Sequence, residues 1–159
     1  MIINEIIKKA EENRIFVDNA LTEELLSGVY GFFAVRKNCE YCFYIGKAIC
    51  MCDRIFGSSN GHIYYYLNSI EGKYVKPSEK NLVDDIKHYL ENNEKVELRL
   101  MEKVDMQEET YERAAHKLAF AEYSWIEKYQ QQGQCLHQLP EGTESSRNYW
   151  ENTLKKLNR

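Results

Sequence analysis

The pattern of apolar and polar residues predicts three β-strands. Residues 28–35 (GVYGFFAV) and 41–46 (YCFYIG) are rich in aromatic and β-branched residues, and the polar stretch RKNCE between them is typical of a turn. This part of the chain therefore predicts a β-hairpin. Residues 95–104 (KVELRLMEKV) alternate apolar with charged side chains and predict a third strand.

Apolar residues at helical spacing predict helices before, between and after these strands. The predicted helices cover residues 3–15, 47–56, 81–92, about 107–131 and 147–159. A further turn of helix is expected after Thr22, which is an N-cap residue followed by two glutamates. The tyrosine-rich stretch 61–81 has no periodicity that assigns it to either element.

Together these elements predict an α+β fold, in which a small, mostly antiparallel three-stranded sheet is flanked by helices. The 159 residues include only two prolines and eight glycines, so we expect one domain without a flexible linker. Residues 1–159 contain no run of eighteen apolar residues, and the N-terminus lacks the order of a signal peptide. A cytoplasmic protein with no membrane contact and with reduced cysteines is expected.

The net charge of −4 argues against a general nucleic-acid binder. Its distribution along the chain is uneven, since residues 28–60 carry four basic and two acidic side chains. An anionic partner would therefore bind to the segment that contains the hairpin.

Tyr30 and Tyr44 lie on the two predicted strands of the hairpin. Because strand side chains alternate between faces, we expect Tyr30 to share a face with Phe32 and Ala34, and Tyr44 to share one with Cys42. A loop with an odd number of residues would bring the two tyrosines onto one face, within reach of each other, whereas a two-residue loop would separate them. Taken singly, each tyrosine is explained more simply by strand packing.

Two basic residues follow the second strand. Lys47 and Arg54 are seven residues apart, which is two helical turns, so on a helix they would project to the same side. A guanidinium binds phosphate through two parallel hydrogen bonds and a lysine adds a mobile charge. With the two phenols they would form a phosphodiester site, although a solvated basic helix face explains the spacing equally well.

The long predicted helix contains a carboxylate in its apolar stripe. Glu122 is four residues from both Leu118 and Ile126. A carboxylate in such a position must be paired, hydrogen-bonded or metal-bound, or it must become neutral. A structural ion pair is one explanation, and a magnesium ion that keeps several waters is another.

Four cysteines surround the second tyrosine motif. They are Cys39, Cys42, Cys50 and Cys52. Their spacing is shorter than in zinc ribbons, and one tetrahedral site would distort the predicted hairpin. Small buried or half-buried thiols are therefore favoured over a structural zinc site, and Cys135 stands alone.

The residues GVY at 28–30, YIGKA at 44–48, Arg54 and Glu122 together resemble the GIY-YIG nuclease superfamily. The resemblance covers roughly residues 27–134, with helical extensions at 1–26 and 135–159. It implies a three-stranded antiparallel sheet with the two motifs on adjacent strands, a following helix that presents the arginine, and a later helix that presents the glutamate.

The resemblance also implies roles for these residues. Tyr30 and Tyr44 would line the scissile phosphate, one of them helping to activate the attacking water. A phenol is a weak base at neutral pH, so Lys47 and the metal ion would have to lower its pKa. Arg54 would stabilise the charge of the transition state, and Glu122 would hold one Mg²⁺ or Mn²⁺ ion.

The chain departs from the family pattern in three places. The histidine or tyrosine that follows the arginine would be His62 or Tyr64. The segment between Arg54 and the third strand is long, which suggests an inserted helix over residues 80–92. Many members carry an asparagine about twelve residues after the glutamate, where this chain has Gln134, and that position is left out of the predicted site.

These patterns predict a metal-dependent endonuclease that hydrolyses phosphodiester bonds in double-stranded or branched DNA. The alternatives are a catalytically inactive nucleic-acid-binding or regulatory module on the same fold, and an unrelated α+β protein. The small size favours a stand-alone nuclease or a homodimer. The segments available for specificity, 1–26, 60–92 and 135–159, do not resemble a known DNA-reading motif.

Overall fold

A computed structural model describes residues 2–92, 94–140 and 143–159. Within these residues the chain forms four strands and six α-helices. The strands are β1 (Ile15–Val17), β2 (Gly28–Arg36), β3 (Cys39–Ala48) and β4 (Lys95–Lys103). The helices are α1 (Ile3–Glu12), α2 (Met51–Phe56), α3 (His62–Ile70), α4 (Lys80–Glu91), α5 (Tyr111–Gln131) and α6 (Arg147–Leu157).

The four strands form one mixed sheet in the order β1-β4-β2-β3. Strand β2 pairs antiparallel with both β3 and β4, whereas β1 pairs parallel with β4. The α+β class is confirmed, but the prediction of three strands is wrong. Strand β1 was missed because its three residues are too few to show an alternating pattern.

The N-terminal region differs from its predicted helices. Helix α1 ends at Glu12, and Arg14 then turns the chain with a φ of 63°, so Ile15 begins the extra strand. The helical turn expected after Thr22 instead lies before it, as a 3₁₀ turn over Asn19–Thr22. Asp18 caps this turn by accepting a hydrogen bond from the backbone of Ala20.

Two boundaries in the middle of the chain also shift. Strand β3 continues to Ala48, so helix α2 begins only at Met51 rather than at residue 47. The unassigned stretch contains α3 and a 3₁₀ turn over Pro77–Glu79 that leads into α4. The inserted helix over residues 80–92 is therefore present as α4.

The sheet separates two hydrophobic clusters. One cluster includes Phe32, Ile55 and Ile86, and brings α1, α2, α3 and α4 onto one face. The other includes Ile45 and Leu118, and brings α5 onto the opposite face. Helix α6 has no buried side chain, and none of the described helices is long and apolar enough to cross a membrane.

A β-bulge sets which side of the sheet the hairpin tyrosines occupy. The hairpin turn has two residues, Lys37 and Asn38, and alone it would place Tyr30 and Tyr44 on opposite faces. The pairing shifts by one residue at Phe43, so Phe32 on β2 pairs with Tyr44 on β3 rather than with Phe43. This shift moves Tyr44 onto the face of Tyr30.

The same bulge changes the expected partner of Tyr44 on its own strand. Cys42 pairs with Phe33 and belongs to the cluster under α5, whereas Tyr44 packs against the cluster on the other face. The prediction that Cys42 and Tyr44 share a face is therefore wrong, since the bulge breaks the alternation between them.

Candidate functional site

The two hairpin tyrosines lie next to each other on the face that packs against α2, α3 and α4. Tyr30 is directly opposite Gly46 on β3, and its ring centroid lies 6.5 Å from that of Tyr44. A Cβ atom at position 46 would lie 2.5 Å from the ring carbon Cζ of Tyr30. Gly46 is thus required because the phenol ring of Tyr30 lies across its backbone, and not because the strand ends there.

Arg54 projects from α2 toward this pair of rings. Its Nη1 atom donates a hydrogen bond to Oε1 of Glu79 at 2.7 Å and another to the carbonyl oxygen of Asn60. The side chain is 30% exposed and lines a cavity beside Tyr44. Arg54 therefore reaches solvent while one end of its guanidinium is held by the protein.

His62 is the residue after the arginine that joins the site. It begins α3, is 1% exposed, and lies with Nε2 2.6 Å from the hydroxyl oxygen of Tyr30. Its Nδ1 atom lies 2.6 Å from Oε2 of Glu79. Tyr64, the other candidate, lines a separate cavity with Ile3 and Phe56. Of the two candidates, the structure brings His62 and not Tyr64 into contact with Tyr30.

Tyr30 is enclosed and uncharged. Its side chain is fully buried, and burial raises its pKa well above 10, as do the neighbouring Tyr44, Glu79 and Glu122, while Arg54 acts in the opposite direction. At neutral pH it is therefore a phenol that donates a hydrogen bond, not a phenolate.

The charges of His62 and Glu79 follow from their burial and their partners. Burial lowers the pKa of His62, and together with the charge of Arg54 it outweighs the opposing effect of Glu79. Burial alone would raise the pKa of Glu79, but hydrogen bonds from His62 and Arg54 outweigh it and hold the pKa below its ordinary value. At neutral pH the site therefore contains a neutral imidazole beside an ionised carboxylate.

Lys47 and Glu122 form the second half of the site. The Nζ atom of Lys47 lies 3.6 Å from Oε1 of Glu122, and both side chains are partly exposed. Lys47 comes from β3 and Glu122 from α5, so this contact links the sheet to the long helix. The structural ion pair that the sequence left open is present here.

Glu122 is the residue that could hold a divalent ion. Among the described residues no cluster of three or more histidine, cysteine, aspartate or glutamate side chains is arranged to hold a metal. Glu122 and Glu127 both line a cavity of about 640 Å³, and one or two carboxylates fit an ion such as Mg²⁺, which commonly keeps several waters and takes substrate oxygens as further ligands. The donor set is thus suited to a substrate-assisted site and not to a preformed protein cage.

The two halves of the site open into neighbouring cavities. The first, of about 570 Å³, is lined by Tyr44, Arg54 and His62, among other residues. The second contains Lys47 and Glu122. Gln138 and Leu139 line both cavities, so the segment after α5 forms the shared wall between them.

That segment also covers the outer edge of β3. The side chain of Gln134 accepts a hydrogen bond from the backbone N–H of Cys42 at 2.6 Å, and that of Gln138 accepts one from Ile45 at 2.8 Å. The amide of Gln138 also donates to the carbonyl of Ile45. Gln134, which was left out of the predicted site, thus has a structural role at the sheet edge.

The cysteines occupy several separate places. Cys39 is exposed, Cys50 is half-buried and Cys52 is buried. Cys135 does not stand alone, since its Sγ atom lies 3.3 Å from Sγ of Cys42 under α5. The two thiols are free and buried.

Glu79 is the residue that the sequence did not reveal. It lies in the stretch 61–81, which has no periodicity that assigns it to a helix or a strand. In the structure it is 2% exposed and contacts both Arg54 and His62. Its distance of seventeen residues from His62 gives no periodic signal that could have paired them.

Comparison with known proteins gave no match to this chain among protein-family models, curated proteins or solved structures.

Proposed function

We propose that this protein is a metal-dependent DNA endonuclease of the GIY-YIG type. The observation that carries the proposal is the meeting of four chemically suited side chains from β2, β3, α2 and α5. They are Tyr30, Tyr44, Arg54 and Glu122, the last of which contacts Lys47 on β3. Tyr44 and Arg54 line one cavity and Glu122 lines the cavity beside it, with the buried Tyr30 packed against Tyr44, and these groups are suited to a phosphodiester and a divalent ion.

Arg54 is the group best placed to bind the scissile phosphate. Its Nη1 end is fixed by Glu79 and Asn60, while the side chain lines the cavity. The guanidinium is always charged and can stabilise the extra negative charge that develops on the phosphate oxygens during attack by water. Lys47 adds a second positive charge in the neighbouring cavity.

The two tyrosines have different roles in this proposal. Tyr30 is neutral and fully buried, so it cannot act as the base that accepts a proton from water. Tyr44 is partly exposed and lines the cavity beside Arg54, where it can orient the attacking water by hydrogen bonding. Tyr30 instead supports the ring of Tyr44 and the imidazole of His62.

Glu122 would hold the Mg²⁺ or Mn²⁺ ion, which when bound supplies Lewis-acid stabilisation of the leaving oxygen. In its absence Lys47 neutralises the carboxylate. In this proposal Arg54 and Tyr44 position the phosphate and the water in one cavity, and Glu122 provides the carboxylate from the neighbouring cavity.

The first test is nicking of supercoiled plasmid DNA in the presence of Mg²⁺ or Mn²⁺. We predict that Arg54→Ala and Glu122→Ala each reduce the rate by about 10²-fold or more, the loss typical when one group that stabilises transition-state charge is removed. The matched controls are Arg113→Ala and Glu112→Ala, since both residues are exposed on α5. These controls should cleave at the wild-type rate.

Cleavage by highly purified Glu122→Ala at the wild-type rate would contradict this mechanism. The inactive binding or regulatory module remains the second candidate, and the Lys47–Glu122 ion pair favours it because the pair occupies the carboxylate that a metal would need. Saturable DNA binding without turnover, across plasmid, single-stranded and branched substrates with either metal, would select this alternative.

A further inference from the structure

Glu79 uses both of its carboxylate oxygens inside the protein. It is the last residue of the 3₁₀ turn Pro77–Glu79 and is 2% exposed. Oε1 accepts a hydrogen bond from Arg54 at 2.7 Å, and Oε2 lies 2.6 Å from Nδ1 of His62. A buried carboxylate with two such partners is held in one orientation, and it holds both partners in turn.

The identities of these groups determine the direction of each hydrogen bond. An ionised carboxylate can only accept, and a neutral imidazole has one N–H, so the hydrogen of His62 must be on Nδ1. Nε2 is then an acceptor, and the hydroxyl group of Tyr30, 2.6 Å away, donates to it. The chain of hydrogen bonds thus runs from Tyr30 through His62 to Glu79.

Glu79 also selects which edge of the Arg54 guanidinium is used for support. Within the described part of the chain, Nη1 makes the hydrogen bonds of this side chain, to Glu79 and to the carbonyl of Asn60. The edge formed by Nη2 and Nε carries two parallel N–H groups, which is the arrangement that binds a phosphate with two hydrogen bonds. Holding Nη1 therefore leaves the phosphate-binding edge for a ligand.

We propose that Glu79 is a positioning residue, which fixes His62 as its Nδ1–H tautomer and orients Arg54 toward a phosphate. Its link to catalysis rests on the proposed endonuclease function. Glu79 does not touch the cleaved bond in this view; it acts through Arg54 and through the imidazole that supports Tyr30.

Two substitutions separate the two contacts of Glu79. In Glu79→Gln the amide oxygen still accepts from Arg54, which leaves the amide NH₂ facing Nδ1 of His62. Because that NH₂ can only donate, His62 must change to its Nε2–H tautomer. In Glu79→Met the side chain has similar length but no acceptor, so Arg54 loses its support as well.

The tautomer is measured by ¹⁵N NMR of histidine-labelled protein, with the His62 signals identified by their loss in His62→Gln. We expect a neutral Nδ1–H imidazole in the wild type and the Nε2–H form in Glu79→Gln. An imidazolium or an Nε2–H imidazole in the wild type at pH 7 would overturn the proposal, and so would an unchanged tautomer in folded Glu79→Gln.

Plasmid nicking provides the second readout. Glu79→Met should lose about 10²-fold in kcat with little change in KM, since a displaced reacting group costs rate more than binding. Glu79→Gln, which keeps the bond to Arg54, should retain more activity than Glu79→Met. Charge alone predicts a different result, because removing a carboxylate beside Arg54 strengthens binding of an anionic phosphate.

Tighter DNA binding with an unchanged kcat in Glu79→Met would therefore show that Glu79 is only a local charge and would overturn the positioning role. If the wild-type protein cleaves none of the DNA substrates, the endonuclease function and the catalytic link of Glu79 both fail. The NMR comparison still decides, in that case, whether Glu79 fixes His62.

Discussion

Tyr30 lies across the backbone of β3 at Gly46, where its ring leaves no space for a side chain on residue 46. The ring carbon Cζ and the hydroxyl oxygen of Tyr30 are both 2.5 Å from the place where a Cβ of residue 46 would be. The ring is also held by its hydrogen bond to His62. A side chain at position 46 would therefore displace the ring of Tyr30, which is closely packed and hydrogen-bonded to His62.

We predict that Gly46→Ala lowers the free energy of unfolding by about 1–3 kcal/mol, the usual cost of an added methyl group in a well-packed core. Urea unfolding followed by circular dichroism measures this change. In a Tyr30→Leu background the phenol ring is gone, so the same substitution should cost less. An equal cost in both backgrounds would show that the ring of Tyr30 is not the obstacle.

At the scale of secondary structure, the outer edge of β3 is closed by side chains instead of by another strand. Strand β3 is the last in the sheet order, and Gln134 and Gln138 reach its backbone at Cys42 and Ile45. Exposed strand edges can pair with other chains, and covering them prevents this. The covering segment also lines both cavities of the site, so the edge and the site depend on the same residues.

We predict that Gln138→Ala speeds amide hydrogen exchange at Ile45 and leaves exchange at Cys42 unchanged, because Gln134 still accepts from Cys42. The reciprocal variant Gln134→Ala should expose Cys42 and spare Ile45. Gln134→Ala should cost about 0.5–1.5 kcal/mol, as expected for one net hydrogen bond, and Gln138→Ala should cost more because it removes two. Amide hydrogen exchange is measured by NMR. Protection of both amides in both variants would contradict the proposed covering role of the two glutamines.

For the whole molecule, the sequence predicts elements better than it predicts their register and contacts. The hairpin, the strand over residues 95–104 and the long helix all show clear periodicity, and all three are present. The sheet face that Tyr44 occupies could not be predicted from the sequence. The two-residue turn alone would place Tyr44 on the face opposite Tyr30, and the bulge shifts the pairing by one residue and returns Tyr44 to the face of Tyr30. Local sequence carries little information on such compensating shifts.

The candidate site shows the same limit. Tyr30, Tyr44, Lys47, Arg54 and Glu122 were predicted from motif spacing and from a carboxylate in an apolar stripe. Glu79 has neither signal, since it lies in a loop between helices and acquires its role only through tertiary packing. Whether these residues cleave DNA stays a prediction that the experiments above decide.

Burial of His62 and the hydrogen bonds that Glu79 accepts make the stability of the whole molecule depend on pH. Burial lowers the pKa of His62 below 6.5, and hydrogen bonds from His62 and Arg54 keep the pKa of Glu79 below 4.5 despite the opposing effect of burial. In both cases the folded pKa lies below the unfolded one. The unfolded chain therefore binds protons first, so the stability present above the unfolded pKa values is lost as the pH falls through the folded values.

We predict that the wild-type free energy of unfolding, measured by urea titration, falls first below about pH 6.5 and again below about pH 4.5. His62→Gln should remove the first decrease, because glutamine does not titrate, and the two unfolding free energies should converge as the pH is lowered. Glu79→Gln should weaken the second decrease, since no carboxylate at that position has to be protonated. Parallel curves for the wild type and His62→Gln across this range would mean that His62 takes up protons equally in the folded and unfolded chains, which a neutral imidazole enclosed between Tyr30 and Glu79 does not allow.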